Sequence, residues 1–167
     1  MTPHHPNQPP TGTALAPTAP GQSVGPVPAR RGLHYIEAPA PYLPDGSPAL
    51  YLFGKTVDCP DWQLAAVRLL RELGWTGTVL NPRPSLNPTG SPYDAWRPFG
   101  WQERNVPKCS AVLFWNAITA DRILSVYTAG LLAEPGTVVV VGSDPADTLP
   151  ATVHAALAAL ADRAARR

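Results

Sequence analysis

Polar side chains gather in the short segment that follows the apolar run Ala49–Phe53. Gly54 comes first, and Lys55 and Asp58 follow before the chain reaches Asp61. A lysine ammonium suits a phosphate or carboxylate ligand, and the Asp58 carboxylate can accept a hydrogen bond from a hydroxyl or a base edge. Asp61 precedes a helical pattern, so it is more simply a charge at a helix start. This loop is the first candidate site.

Two further acids, Glu103 and Asp121, are candidates for a catalytic role. Glu103 falls in a short helical turn, Gln102–Asn105, that Pro107 halts. Asp121 is more simply the N-cap of a helix running to about Ala133. It precedes position 128 by seven residues, which is about 10 Å along a helix at 1.5 Å per residue.

The stretch Asn81–Gly100 is rich in proline and carries Tyr93, Trp96 and Phe99, with Trp101 directly after it. Its prolines predict an irregular connection, and connections of this length are usually functional or disordered. Two interpretations stay open. Either the aromatic rings pack the loop onto the domain, or they form a lid that offers stacking surfaces to a base.

Hydrophobic patterning predicts the scaffold that positions these residues, because strand-like runs alternate with helical stripes. The predicted strands are Leu33–Glu37 (an edge strand or extended arm), Ala49–Phe53, Trp75–Leu80, Ala111–Trp115 and Thr137–Val141. Alternation of this kind predicts a three-layer flavodoxin-like or Rossmann-like α/β domain with a four- to five-stranded, mostly parallel sheet. Ligands bind such sheets beyond the carboxyl ends of the strands.

Two of the intervening helices have clear apolar stripes. In Asp61–Leu73 the predicted buried positions are 62, 66, 69, 70 and 73, with Pro60 suited to the first helical position and Gly74 to the C-cap. In the last helix they are Val153, Ala156, Leu157, Leu160 and Ala164, and His154 lies off the stripe.

Composition limits the class of protein. The chain has 167 residues, a net charge of +1 and two cysteines, Cys59 and Cys109. Near-neutral charge argues against nucleic acid as a partner, and two cysteines suit reduced thiols better than a disulfide framework or a metal site. No apolar run has the length of a membrane helix or the form of a signal peptide, so we expect a cytoplasmic protein without a membrane partner.

The chain divides at about residue 31. Residues 1–30 contain eight of the 22 prolines and no acidic residue. Such a segment cannot bury enough apolar surface to offset its chain entropy, so 1–31 is predicted to be a disordered tail and 32–167 the folded domain. Neither a G-x-G-x-x-G nor a P-loop sequence occurs, and no cofactor is expected.

The blocks "LYLFGKTVDCPDWQ", "VLNPRP", "AVLFW" and "SVYTAG" together resemble the nucleoside 2-deoxyribosyltransferase-like family. The similarity runs from about His34 to Gly142. It implies a flavodoxin-like fold that binds a nucleoside or nucleotide and acts on its N-glycosidic bond. The predicted ligand-binding residues combine the loop described above with positions that the resemblance favours. They are Gly54, Lys55, Asp58, Asp61, Trp62, Asn81, Arg83, Trp101, Trp115 and Asn116. Relatives pool residues across subunits, so the resemblance also allows a homo-oligomer.

The resemblance implies a glutamate nucleophile in a motif like "T-L-Y-E-L-G", and here that position holds Thr128. A threonine hydroxyl is neutral at pH 7 and a poor nucleophile without an adjacent base. Gln102 and Ser110 also stand where the family tends to have acids, and Lys55 occupies a loop that is glycine-rich in relatives. The expectation is a pseudoenzyme that binds its ligand with little or no turnover. The alternatives are an active transferase or N-glycosidase using Asp58, Glu103 or Asp121, and a non-catalytic partner subunit or scaffold.

Overall fold

A computed structural model describes residues 32–56, 59–84, 97–116, 130 and 133–166. Its centre is one five-stranded, all-parallel sheet in the order β1-β3-β2-β4-β5. The strands are β1 (His34–Glu37), β2 (Ala49–Gly54), β3 (Thr78–Asn81), β4 (Ala111–Asn116) and β5 (Val138–Ser143). The described helices are α1 (Trp62–Glu72), α2 (Arg97–Asn105), which a 3-10 turn (Val106–Lys108) extends, and α3 (Leu149–Ala165). This confirms the predicted flavodoxin-like α/β class, and β1 is an edge strand.

The apolar strands are covered on both faces, which is why their sequences do not alternate between apolar and polar residues. On one face, Leu50, Leu52, Val79 and Leu113 pack with residues of α1 and α3. On the other, Tyr51, Phe53, Leu80 and Phe114 pack with Trp101 of α2 and with Tyr42 from the β1–β2 connection. Two layers of helix and loop therefore enclose the sheet.

Helix α1 begins one residue later than predicted. Asp61 is its N-cap, with Oδ1 accepting the Leu64 N–H at 3.1 Å, so Pro60 lies outside the helix. The buried face is Trp62, Gln63, Ala66, Val67 and Leu70. The prediction for Leu73 was wrong, because the helix ends at Glu72 and Leu73 is 43% exposed. Gly74 follows with a φ of 70°, as a residue just beyond a helix end often does.

Helix α2 is longer than the predicted turn. The sequence placed residues 97–100 in an irregular stretch, but they form the first turn of α2. Pro98 is compatible with this because the first turn of a helix needs no donor from its N–H groups. In α3, Val153, Ala156 and Leu160 are buried and His154 is exposed, as predicted, whereas Ala164 is exposed and Thr152 is buried.

Two strand limits also differ from the prediction. Strand β3 begins at Thr78 and not at Trp75. The Trp75 N–H instead donates to the Leu70 carbonyl at 3.0 Å, as part of the turn after α1. At the other end, β5 continues to Ser143, because Gly142 and Ser143 pair with Trp115 and Asn116 of β4. Among the described residues, no helix is long and apolar enough to cross a membrane.

Candidate functional site

The carboxyl ends of β2 and β4 define the crevice at which a ligand is expected. The chain leaves β2 toward β3 and leaves β4 toward β5, so the two connections diverge to opposite sides. In open parallel sheets, ligands bind at this point of divergence. Gly54 of β2 lies in register with Trp115 of β4. The loop after Gly54 therefore borders the expected site, as the sequence predicted.

Glycine is required at position 54 by its backbone and its neighbours. Its φ is 148°, in a region that side-chain-bearing residues rarely adopt. A Cβ there would collide with the Trp115 carbonyl oxygen and lie 3.0 Å from the Trp62 ring. The close approach of β2 to β4 at the crevice depends on that missing side chain.

The carbonyl oxygen of Lys55 holds the loop in place by accepting three side-chain hydrogen bonds. Trp62 Nε1 donates at 2.8 Å, Gln63 Nε2 at 3.2 Å and Cys59 Sγ at 3.3 Å. Trp62, predicted to bind ligand, is 4% exposed, and its only polar group is committed to this bond. In this conformation Trp62 positions the loop.

Gln63 is a site residue that the sequence reasoning missed. Its side chain is fully buried in the first turn of α1, and its Oε1 has no hydrogen-bond partner among the described residues. Such an atom is uncommon in folded proteins, and an acceptor of this kind is usually met by water or a ligand donor. Its position in the "DWQ" block, beside a predicted site loop, was the available signal.

A hydrogen-bonded chain joins the carboxyl ends of β1 and β3. Asn81 Nδ2 donates to the Tyr35 hydroxyl at 2.8 Å, and that hydroxyl donates to Glu37 Oε2 at 2.7 Å. Burial, and then the Glu37 carboxylate, raise the pKa of Tyr35, while the Asn81 bond opposes this. The phenol therefore stays protonated and keeps donating to Glu37. Asn81, a predicted ligand residue, is 1% exposed and acts here as a link between strands.

Arg83 connects this chain to the loop after β2. Its N–H donates to Asn81 Oδ1 at 2.9 Å, which fixes the turn after β3. Its Nη1 donates to the carbonyls of Pro60 at 3.2 Å and Cys59 at 3.4 Å. Its Nε lies 3.8 Å from Asp61 Oδ2. The structure thus brings Asn81, Arg83 and Asp61 together.

The described acids near this edge have structural partners. Asp61 caps α1 through one oxygen and faces Arg83 through the other. Glu37, which the sequence reasoning also missed, accepts from Tyr35. Glu103 is exposed on α2. Asp58, Asp121 and Thr128, and the side chain of Asn116, lie outside the described residues, as do Tyr93, Trp96 and the tail 1–31.

Two predicted aromatic ligand residues lie in the core. Trp101 is 2% exposed; its Nε1 donates to the Ala40 carbonyl at 2.8 Å, and its ring centroid is 5.7 Å from that of Tyr51. Trp115 is 5% exposed and packs beneath α3. For these two rings, packing onto the domain describes the structure better than an open stacking surface does.

Both cysteines are free thiols. Cys59 is half-buried in the loop after β2, and Cys109 is buried before β4. Burial raises the pKa of Cys109 to about 12, a shift that the nearby Lys108 charge opposes. Among the described residues, no group of three or more His, Cys, Asp or Glu side chains is placed to hold a metal ion.

No family model and no curated protein matches this chain. The described site therefore has to be interpreted from its own chemistry. It offers a point of divergence between β2 and β4, a cation, Lys55, after β2, and a second cation, Arg83, after β3. The carboxylates described beside them are held by hydrogen bonds or an arginine.

Proposed function

We propose that this protein binds a nucleoside or nucleotide at the carboxyl edge of its sheet and catalyses little or no glycosyl transfer. The observation that carries the binding half is the crevice where β2 and β4 diverge, at Gly54 and Trp115. Of the loop beside it, the described residues Lys55 and Pro60 have their carbonyls bonded by Trp62, Gln63 and Arg83, so this part of the backbone is anchored within the protein itself. A preorganised loop lowers the ordering cost of binding.

The low turnover is expected because the nucleophilic carboxylate is missing and the described carboxylates nearby already have partners. Transfer of a sugar through a retaining mechanism needs a carboxylate beside the anomeric carbon. The position that the family resemblance assigns to it holds Thr128, whose hydroxyl carries no charge. Asp61 and Glu37, the acids described nearest the crevice, are engaged by Leu64 and Arg83 and by Tyr35. Both carboxylates are therefore engaged, and neither is available as the nucleophile.

The experiment has a binding arm and a chemical arm. Calorimetric titration with 2′-deoxynucleosides and their 5′-monophosphates should give saturable binding of at least one of them. Incubation of the same compounds with a second free base, followed by chromatography, should give no exchange above the uncatalysed rate. Absence of binding throughout the panel would reject the first half of the proposal, and base exchange at enzyme-like rates would reject the second half.

Two variants separate a missing nucleophile from an altered pocket. Thr128→Glu restores the carboxylate and should raise base release, whereas Thr128→Gln has nearly the same shape without the charge and should not. If both variants fold and bind ligand but Thr128→Glu does not increase base release, the absent carboxylate is not what limits turnover. Activity in Thr128→Gln equal to that in Thr128→Glu would contradict the assigned role of charge.

A further inference from the structure

Lys55 stands at the crevice with its backbone fixed and its side chain exposed. It directly follows Gly54, the last residue of β2. Its carbonyl is bonded by Trp62 Nε1 and Gln63 Nε2, so the residue cannot shift along the loop without breaking both bonds. The side chain is exposed. Its anchored backbone at the carboxyl end of β2 and its exposed side chain make the ammonium group available to a ligand at the edge where β2 and β4 diverge.

The only other lysine of the chain provides a contrast. Lys108 Nζ donates to the Tyr42 carbonyl and to Asn105 Oδ1, each at 3.4 Å, and thereby ties the 3-10 turn to the β1–β2 connection. Within the described part of the chain, the Lys55 ammonium has no such bond and no ion pair. Lys108 therefore has a structural role for which the described residues show no counterpart at the Lys55 ammonium.

The charge around Lys55 is not balanced by the acids described beside it. Asp61 is the acid of that loop that the structure describes, and its second oxygen faces Arg83 at 3.8 Å. Asp58, three residues after Lys55, lies outside the described residues. Lys55 and Arg83 thus supply two cations to one short segment against one described carboxylate. Because Arg83 faces Asp61 and two backbone carbonyls, Lys55 is the cation of this pair that an anionic ligand group would engage, and its charge would disfavour a developing oxocarbenium ion.

We infer that the ligand of the proposed site carries a phosphate group, and that Lys55 is the residue that selects a nucleotide over the corresponding nucleoside. This rests on the proposed function and names its substrate class. Lysine binds phosphate as a point charge with three donors. An exposed ion pair contributes little and a charge-assisted hydrogen bond contributes more. Between these limits, the expected preference for the phosphorylated ligand is about tenfold in Kd.

The test compares each nucleoside with its own 5′-monophosphate by calorimetry, in wild type, Lys55→Met and the matched control Lys108→Met. Wild type should bind the monophosphate about tenfold more tightly. Lys55→Met should lose that preference and keep its affinity for the nucleoside, while Lys108→Met should retain the preference. Added salt should weaken monophosphate binding to wild type and have little effect on Lys55→Met.

Two further arms remove alternative explanations. In the first, inorganic phosphate should compete weakly with the monophosphate. In the second, the rate of Lys55 acetylation, measured by mass spectrometry, should fall in the presence of the monophosphate, whereas the rate at Lys108 should not. Asp58→Asn should keep or strengthen the preference, since it removes a negative charge from the same loop. Loss of the preference in Asp58→Asn would mean that the preference depends on the Asp58 carboxylate and not on the Lys55 charge alone, and the inference would fall.

The outcomes distinguish this inference from the proposed function. Equal affinity for nucleoside and monophosphate in wild type overturns the role of Lys55 and leaves nucleoside binding standing. A preference that survives in Lys55→Met, or that disappears equally in Lys108→Met, also overturns it. Failure of every nucleoside and nucleotide to bind overturns both proposals together.

Discussion

Replacement of Gln63 by Met tests the energetic effect of a buried amide oxygen that has no hydrogen-bond partner among the described residues. The two side chains have similar length and flexibility, so the buried volume is nearly conserved. The change removes the Nε2 bond to the Lys55 carbonyl and also removes Oε1. The carbonyl is not left alone, because Trp62 Nε1 and Cys59 Sγ still donate to it.

The expected magnitude follows from these two losses. A lost hydrogen bond costs about 1 kcal/mol, whereas removal of a buried, unsatisfied acceptor recovers about 1–3 kcal/mol. The variant should therefore be as stable as wild type or more stable by roughly 1 kcal/mol, which is a rise in Tm of about 3–5 °C for a domain of this size. Trp62→Phe should be destabilised, because it removes the 2.8 Å bond to the same carbonyl without removing any unsatisfied atom.

Urea unfolding followed by circular dichroism measures both variants, with Gln102→Met as the matched control. Gln102 is half-buried on α2, so its replacement should change the free energy of unfolding by less than about 0.5 kcal/mol. A loss of about 2 kcal/mol or more in Gln63→Met, with Gln102→Met unchanged, would refute the reasoning. It would mean that Oε1 has a partner in the folded protein, such as a buried water.

Two other variants test the packing beside the site and in the core. Gly54→Ala should lower the free energy of unfolding by about 2–4 kcal/mol, because the new Cβ collides with the Trp115 carbonyl. Gly46→Ala is the matched control, since Gly46 has a φ of 86° but open space around it. It should lower the free energy of unfolding by only about 1–2 kcal/mol. Equal losses in urea titrations would contradict the close approach. Trp101→Phe should cost about 1–3 kcal/mol, since it leaves the Ala40 carbonyl without the indole donor, and a neutral result would contradict the buried bond.

The Cys109 thiol gives a test by pH. Because its folded pKa is about 12, against an ordinary value of 9.0, its contribution to stability is complete below pH 9 and is lost as pH rises toward 12. Cys109→Ala should show a shallower alkaline loss in urea titrations than wild type; an identical pH profile would contradict the raised pKa. In native protein, a thiol reagent should modify Cys59 before Cys109.

The strands of the sheet could be predicted from the sequence because each is marked by its own short apolar run. Ala49–Phe53 and Ala111–Trp115 are apolar runs without charge, and runs of this kind form strands buried on both faces. The position of the Gly54 loop at the carboxyl edge followed from the alternation of strands and helices. That inference needed no knowledge of which strands are neighbours.

The chain of hydrogen bonds from Asn81 to Glu37 could not be predicted, because it depends on strand order. The pairing of β1 with β3 sets Glu37 opposite Asn81, although 44 residues separate them in the chain. The burial of Trp101 was hidden for a related reason. An aromatic residue beside a proline-rich stretch is compatible with a loop or a helix, and only its bond to Ala40 and its contact with Tyr51 decide between them.

Amide hydrogen exchange with and without saturating nucleotide tests the location of the site most directly, because the two edges of one sheet serve as test and control. Ligand should slow exchange in peptides that contain Gly54 and Lys55, Arg83, and Trp115 at the carboxyl edge. Peptides at the amino edge, around His34, Thr78 and Ser110, should be unchanged. Protection confined to the amino edge, despite saturable binding, would contradict the account.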